Sequence, residues 1–370
     1  MLVTARPPLD IRLSLKKPKI NPINNFLFYH RGREALISGL HALGIEPGSA
    51  IIVPAYICSS ITIFLEDFGY KVVFLDVNKE LQFDINNLKK AIKYENAKSV
   101  LVVHYFGFYS NILDIVQICK PLNVKVIEDC SHSFLSERNE KRVGLVGDIS
   151  IFSLRKTLPC EDGGALCINN YSNTISITKE YNSKSFKISL YLVSRIVESI
   201  IAFIGWPNLY SSFINNIKIK LRTYAGSFVS KNQQFDLKSI HPSSPLVNYL
   251  TDKEYLSNIR NSSRKNYKQL LQAVIDLGLL PLYSDLDIGC VPQYFPLYDK
   301  KNIIVKLMRE EGIGAIRWPW YELPEKVALS SSEFPIANEL DRSLVLIPIH
   351  QGVKEKHLRK IILSLRECNV

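Results

Sequence analysis

The chain contains no CxxC pair, and its seven cysteines are an odd number. A fully paired disulfide framework is therefore excluded, and a reducing, cytoplasmic setting is expected. Cys119, Cys130 and Cys167 sit inside apolar runs, where cysteine serves as a small core residue. HExxH, GxSxG and a Walker loop are all missing. This removes the zincin, nucleophile-elbow and P-loop chemistries. The dispersed histidines lack zinc-site spacing, so no metal is expected. The stretch MLVTARPPLDIRLSLKKPK has no continuous apolar core before a cleavage site, and no signal peptide is expected. No uncharged apolar run reaches the ~18–20 residues of a spanning helix. The formal charge is +11, but the basic residues are scattered, with no long basic run and no zinc-finger pattern. That distribution argues against nucleic acid and favours anionic ligands such as phosphates or nucleotide-linked sugars, with a membrane surface as second option.

What is present is an ordinary globular composition, 46% hydrophobic and 22% charged over 370 residues. Such a length suits one large and one smaller domain as well as two equal ones. Residues 1–25, with four prolines, read as an arm. From Arg33 a strand–helix rhythm sets in. REALISGLHALGI predicts a helix ending at Gly44, followed by AIIVPAY (strand), SSITIFLEDFGY (helix) and KVVFLDV (strand). INNLKKAIKYE (helix), SVLVVHYFG (strand), ILDIVQICKPL (helix), VKVIEDC (strand), DISIFSL and GALCIN (strands) continue it. Apolar, β-branched strands alternating with helices predict an α/β fold with a mainly parallel sheet covered on both faces. Such sheets bind ligands at the carboxyl ends of their strands, where Pro54, His104, Asp129 and Ser153 fall.

Residues 171–235 interrupt the rhythm with the apolar FKISLYLVSRIVESIIAFIGWPNLYSSFI. It reads as buried or dimer-interface helices. The sharper alternative is peripheral membrane contact through 186–214, next to the basic KIKLR. The expected organisation is an arm at 1–25, a large domain at 26–254 that includes this insertion, and a linking helix plus small C-terminal domain at 255–370.

The chemistry gathers at ISIFSLRKTLPCEDGG, residues 149–164, and at VIEDCSH upstream. Lys156 lies just past a strand, beside Arg155, where desolvation and neighbouring positive charge help an amine lose its proton. Asp129 ends the strand before it. A lysine and a strand-end carboxylate in this setting suggest pyridoxal 5'-phosphate (PLP), with Lys156 as Schiff-base residue and Asp129 paired with the pyridinium nitrogen. His132 could contact the ring. Gly32 and Arg33 open the first strong helix, and with the Ser153 hydroxyl they make a candidate phosphate site. Tyr56 either stacks on the ring or merely packs, with Cys58 close by. The bland alternatives are a surface lysine, a capping aspartate, a core histidine and a glycine turn.

These residues in this order resemble the DegT-type sugar aminotransferases, which are fold-type I PLP enzymes. RGREAL stands at that family's SGTxAL, and PGSAIIVPAY…GYKVVFLDV at its PGDEVIVP…GAxPVFVDV. VVHYFG, VIEDCSH and GDISIFSLRKTLPCEDGGAL follow its H-x-x-G, IEDAAQ/H and GDxxxFSF…K…GEGG blocks. The resemblance carries the ring-nitrogen role to Asp129, the ring contact to His132, the phosphate serine to Ser153 and the Schiff base to Lys156. Arg33 replaces the family's threonine, the Ser153–Lys156 spacing is shorter, and no G-x-N-x-R segment is recognisable. The resemblance implies a large domain with a seven-stranded-type sheet between helices and a small C-terminal α/β domain. It also implies a homodimer and transamination from glutamate to a keto sugar, nucleotide-linked, in polysaccharide or amino-sugar biosynthesis. Arg317 and His104 are candidates for substrate contact. The alternatives are another PLP reaction on this fold (a lyase or dehydratase), a non-catalytic PLP or sugar-nucleotide binder, and a membrane-associated protein.

Overall fold

The computed structural model describes residues 2–15, 26–160, 162–169, 197, 244–319 and 322–369. Except for residue 197, the 171–235 segment, with its 186–214 stretch, lies outside the described residues.

The larger sheet is built from β1 (Leu27–Tyr29), β2 (Ala50–Pro54), β3 (Lys71–Leu75), β4 (Ser99–Val103), β5 (Lys125–Asp129), β8 (Ile149–Ser153) and β9 (Gly164–Ile168), in the spatial order β1-β9-β8-β5-β4-β2-β3. The short hairpin β6 (Glu137–Arg138) and β7 (Lys141–Arg142) precedes β8. Strands β3, β2, β4, β5 and β8 pair in parallel, whereas β9 runs against both of its neighbours. Every residue of β2, β4 and β8 is buried, as two covered faces require of a parallel sheet. The crossovers are α2 (Gly32–Ala42), α3 (Ser59–Asp67), α4 (Ile85–Glu95) and α5 (Ile112–Cys119). The helix α2 ends before Gly44, which takes φ +68° where other residues would be strained. In α4, the Asp84 carboxylate caps the Asn87 N–H at 2.8 Å.

Beyond α6 (Ser244–Thr251) comes the long helix α7 (Lys253–Asp276). Its buried residues Tyr255, Ile259, Ser263, Asn266, Tyr267, Leu270 and Val274 recur at helical spacing and form one stripe. A three-stranded antiparallel sheet follows, β10 (Tyr294–Tyr298), β12 (Leu344–Pro348) and β11 (Ile316–Arg317), with β12 in the middle. The helices α8 (Ile304–Glu310), α9 (Glu325–Leu329), α10 (Pro335–Ser343) and α11 (Glu355–Asn369) accompany it. One buried cluster extends from Leu36 and Val53 through Tyr267 to Phe295 and Leu346, so the two sheets share a core.

The N-terminal segment is docked rather than trailing. Val3 bridges Ile313, the His350 ring bonds the Thr4 carbonyl at 2.9 Å, and the Tyr294 hydroxyl donates to the Ala5 carbonyl at 3.3 Å. Its short helix α1 (Ile11–Leu15) packs on α6, where Asn248 donates to the Leu13 carbonyl at 2.8 Å. Among the described residues no helix is long and apolar enough to cross a membrane.

Candidate active site

The site forms where β5 and β8 end side by side. Their parallel register pairs Asp129 with Ile151, which leaves Ser153 to finish β8 and turns the chain through Leu154–Lys156. Lys156 Nζ lies 3.0 Å from His132 Nε2. Asp129 and His132 are 3% and 5% exposed, so neither is a surface turn residue. Asp129 Oδ1 accepts the Ser131 N–H at 2.9 Å, which fixes the carboxylate at the strand end. The His132 ring stacks on Phe106 with centroids 5.4 Å apart and meets Trp318 edge-on at 5.5 Å. Its Nδ1 is buried without a hydrogen-bond partner.

Burial pushes the Lys156 amine below its ordinary pKa. Asp129 and Cys58 pull it back up, and Arg155 and Arg6 press it further down. His132 is held well below its ordinary value, first by burial and then by the charge of Lys156. A lysine that loses its proton more easily, beside a neutral imidazole, is what a nucleophilic or proton-carrying amine requires. Cys58, which opens α3 with its Sγ 3.1 Å from Ser60 Oγ, is thus close enough to Lys156 to act on its charge.

The start of α2 comes to the same edge. A Cβ on Gly32 would lie 3.1 Å from the Phe152 carbonyl oxygen and 3.5 Å from Ser153 Cβ, so glycine permits that approach. The Glu34 carboxylate reaches back to the His30 N–H at 3.1 Å and the Arg31 N–H at 3.3 Å. The Arg33 guanidinium lies over the Phe64 ring at 4.9 Å.

Three candidates lie elsewhere. Tyr56 is fully buried, donates to the Trp318 carbonyl at 2.6 Å and packs edge-on against that indole, which is the packing alternative. His104 requires correction as a substrate contact. It is completely buried, its Nδ1 accepts the Ser110 N–H at 3.2 Å, and its Nε2 therefore donates to Glu128 Oε2 at 2.9 Å. Glu128 faces away from Asp129, as strand alternation predicts, and its Oε1 accepts the N–H groups of Val146 and Gly147 at 2.8 and 2.6 Å. His104, Glu128 and Cys130 lie within reach of one ion, but these hydrogen bonds already commit both imidazole nitrogens and both carboxylate oxygens. The Arg317 guanidinium bonds Asp299 at 3.2 Å, Asn302 at 2.8 Å and the Arg342 carbonyl, contacts that support its structural alternative.

Sequence reasoning missed the far wall of the cleft beside Lys156. Ala5, Pro7, Gln293, His350 and Gln351 line it together with His132. The prolines of the N-terminal segment and the polar pair His350-Gln351 after an apolar strand were the available signals, and neither names a contact.

Comparison with known proteins agrees with the motifs. Residues 28–187 match the model of the DegT/DnrJ/EryC1/StrS aminotransferase family. The resemblance read from the lysine and aspartate blocks is borne out over that stretch. GDP-perosamine synthase of Escherichia coli O157:H7 is 33% identical over 142 residues, covering 38% of this chain and 39% of that protein. The dTDP-3-amino-3,6-dideoxy-alpha-D-galactopyranose transaminase of Aneurinibacillus thermoaerophilus is 32% identical over 160 residues, covering 41% of this chain and 43% of that protein. The match thus spans about two fifths of the length of these curated relatives. In three dimensions the likeness runs further. A DegT DnrJ EryC1 StrS aminotransferase from Brucella abortus superposes with a TM-score of 0.65 at 18% identity, covering 92% of this chain and 85% of that one. Spr1654 from Streptococcus pneumoniae in its PLP form reaches a TM-score of 0.71 at 13% identity, covering 100% of this chain and 99% of that one. The expected fold, α/β with a mainly parallel sheet of fold-type I, is the observed one.

Proposed function

We propose that the chain is a PLP-dependent aminotransferase. It would move an amino group from an amino acid, by resemblance glutamate, to a keto sugar that is nucleotide-linked. The observation that carries this reading is the meeting of Lys156, Asp129 and His132 at the ends of β5 and β8. The sugar class is supported by relatives named for GDP- and dTDP-linked amino sugars, and the net charge of +11 suits an anionic acceptor.

The residues present fit the cofactor. His132 offers a buried, unpartnered Nδ1, the amine of Lys156 has a lowered pKa, and Gly32 opens the approach to Ser153. When bound, PLP supplies an electron sink for the carbon that gives up its proton. Lys156 would anchor it covalently and, once displaced by the donor amine, carry the proton at Nζ as base and then acid. Asp129 would keep a proton on the ring nitrogen, and Ser153 with the first N–H groups of α2 would hold the phosphate. His132, kept neutral, would orient the lysine without competing for its proton. Arg33 would add charge at the phosphate end, and Cys58 would border the ring.

The same reading includes a homodimer, a cytoplasmic location with or without peripheral membrane contact through 186–214, and a role in polysaccharide or amino-sugar biosynthesis. It also includes the division into arm, large domain and C-terminal domain at residues 25 and 254. The test is an absorbance spectrum of the purified, PLP-loaded protein with and without glutamate. A lysine-bound PLP band should be present, shift as the amino group is handed over, and vanish in Lys156→Ala. A wild-type spectrum that glutamate leaves unchanged, with no 2-oxoglutarate released for any keto-sugar acceptor, overturns the reading.

A further inference from the structure

One wall of the cleft beside Lys156 takes no part in the chemistry above. Gln293, just before β10, and Gln351, just after β12, both line it. Gln293 Nε2 donates to the Lys156 carbonyl at 2.9 Å, and because a carbonyl oxygen only accepts, this bond fixes which way the amide faces. Gln351 Nε2 donates to the Tyr255 hydroxyl at 3.0 Å. Both Oε1 atoms are left buried with no hydrogen-bond partner. Gln351 is only 6% exposed, so water does not freely replace the missing donor.

The wall is held in place. Asn266 Nδ2 on α7 donates to the carbonyls of Ile349 at 3.0 Å and Val353 at 2.9 Å, bracketing the loop that carries Gln351. The Gln293 N–H donates to the Phe106 carbonyl at 2.9 Å. Ala5 and Pro7 line the cleft from the docked N-terminal segment.

One fixed acceptor at Gln293, and at Gln351 the amide end that its Tyr255 hydroxyl contact leaves open, call for a ligand that brings hydrogen-bond donors. A carboxylate or a phosphate brings none, whereas a sugar ring brings several hydroxyls. We propose that Gln293 and Gln351 are specificity-determining residues that accept hydrogen bonds from the hydroxyl groups of the sugar substrate. This deepens the aminotransferase reading and rests on it.

The test is calorimetric titration of the PLP-loaded protein with UDP-glucose, GDP-mannose and dTDP-glucose, each against its nucleoside diphosphate. The expected result is that at least one nucleotide hexose binds more tightly than its nucleoside diphosphate. That gain should fall about tenfold in Gln351→Met, the weight of one hydrogen bond to an otherwise stranded acceptor. Gln293→Met should behave likewise and serves if the first variant does not fold. Tyr255→Phe spares the Gln351 oxygen and should keep the gain. A wild type with no gain for any hexose, or methionine variants that retain it, overturns the proposal. The glutamate-induced band shift is read on the same wild-type sample. A normal shift without a hexose gain sinks this subsite alone, whereas no shift sinks the underlying aminotransferase reading.

Discussion

At residue scale, the same burial that tunes the site has a stability consequence. His132 is held neutral in the folded chain, with its pKa well below the ordinary value of 6.5. As pH falls through that value, the unfolded chain takes up a proton that the folded chain refuses, so stability falls with it. The slope approaches about 1.4 kcal/mol per pH unit for one proton. His132→Gln should remove that contribution, and thermal midpoints of the two proteins followed from about pH 7 to 5 should therefore converge. Parallel curves would show that the imidazole titrates normally. The neighbouring pair Glu128 and Asp129 shows how alternation along a strand divides two carboxylates. Glu128 ties the β4 end to the loop before β8, whereas Asp129 is left at the edge where ligands meet parallel sheets.

At the scale of elements, the turn after β4 and the segment before β10 depend on one glycine. Gly107 has φ +103°, and a Cβ there would overlap the Val291 carbonyl oxygen. Phe106, beside it, stacks on His132 and accepts the Gln293 N–H. Gly107→Ala therefore combines left-handed strain with a backbone clash and should cost about 3 kcal/mol. The cost would be read as a lower urea midpoint at unchanged slope, with weaker sugar binding as Gln293 shifts. The long alternating elements were legible because each repeats its period several times: INNLKKAIKYE is α4 from end to end, and SVLVVHYFG contains β4. The three-residue β1, the hairpin β6–β7, the two-residue β11 and the short α9 were not. None of them is long enough to complete two periods, so the residue pattern leaves them unmarked. The helix α10 was missed as well; its Pro335 starts a helix where proline is more often read as a break.

At the scale of the whole molecule, the shared core makes the cleft a product of both sheets and the N-terminal segment. The proposed homodimer should appear in size-exclusion chromatography with light scattering as a species of twice the mass of the 370-residue chain. A mass of one chain at micromolar concentration would contradict it. If the proposed dimer shares its sites between subunits, dilution below its dissociation constant should lower the proposed sugar-amination activity.

The order of strands and helices, the buried parallel sheet and the chemical identity of Lys156, Asp129, His132 and Ser153 were written locally. Each depends on a period or a spacing within a few residues of its own position. The fates of His104, Tyr56 and Arg317 were not, because their partners lie up to 24, 262 and 25 residues away and only packing brings them together. The same holds for the wall of Gln293 and Gln351, whose orienting partners are 137 and 96 residues distant. A residue type announces what bonds it can make; which of them are already spent is decided by its neighbours in space.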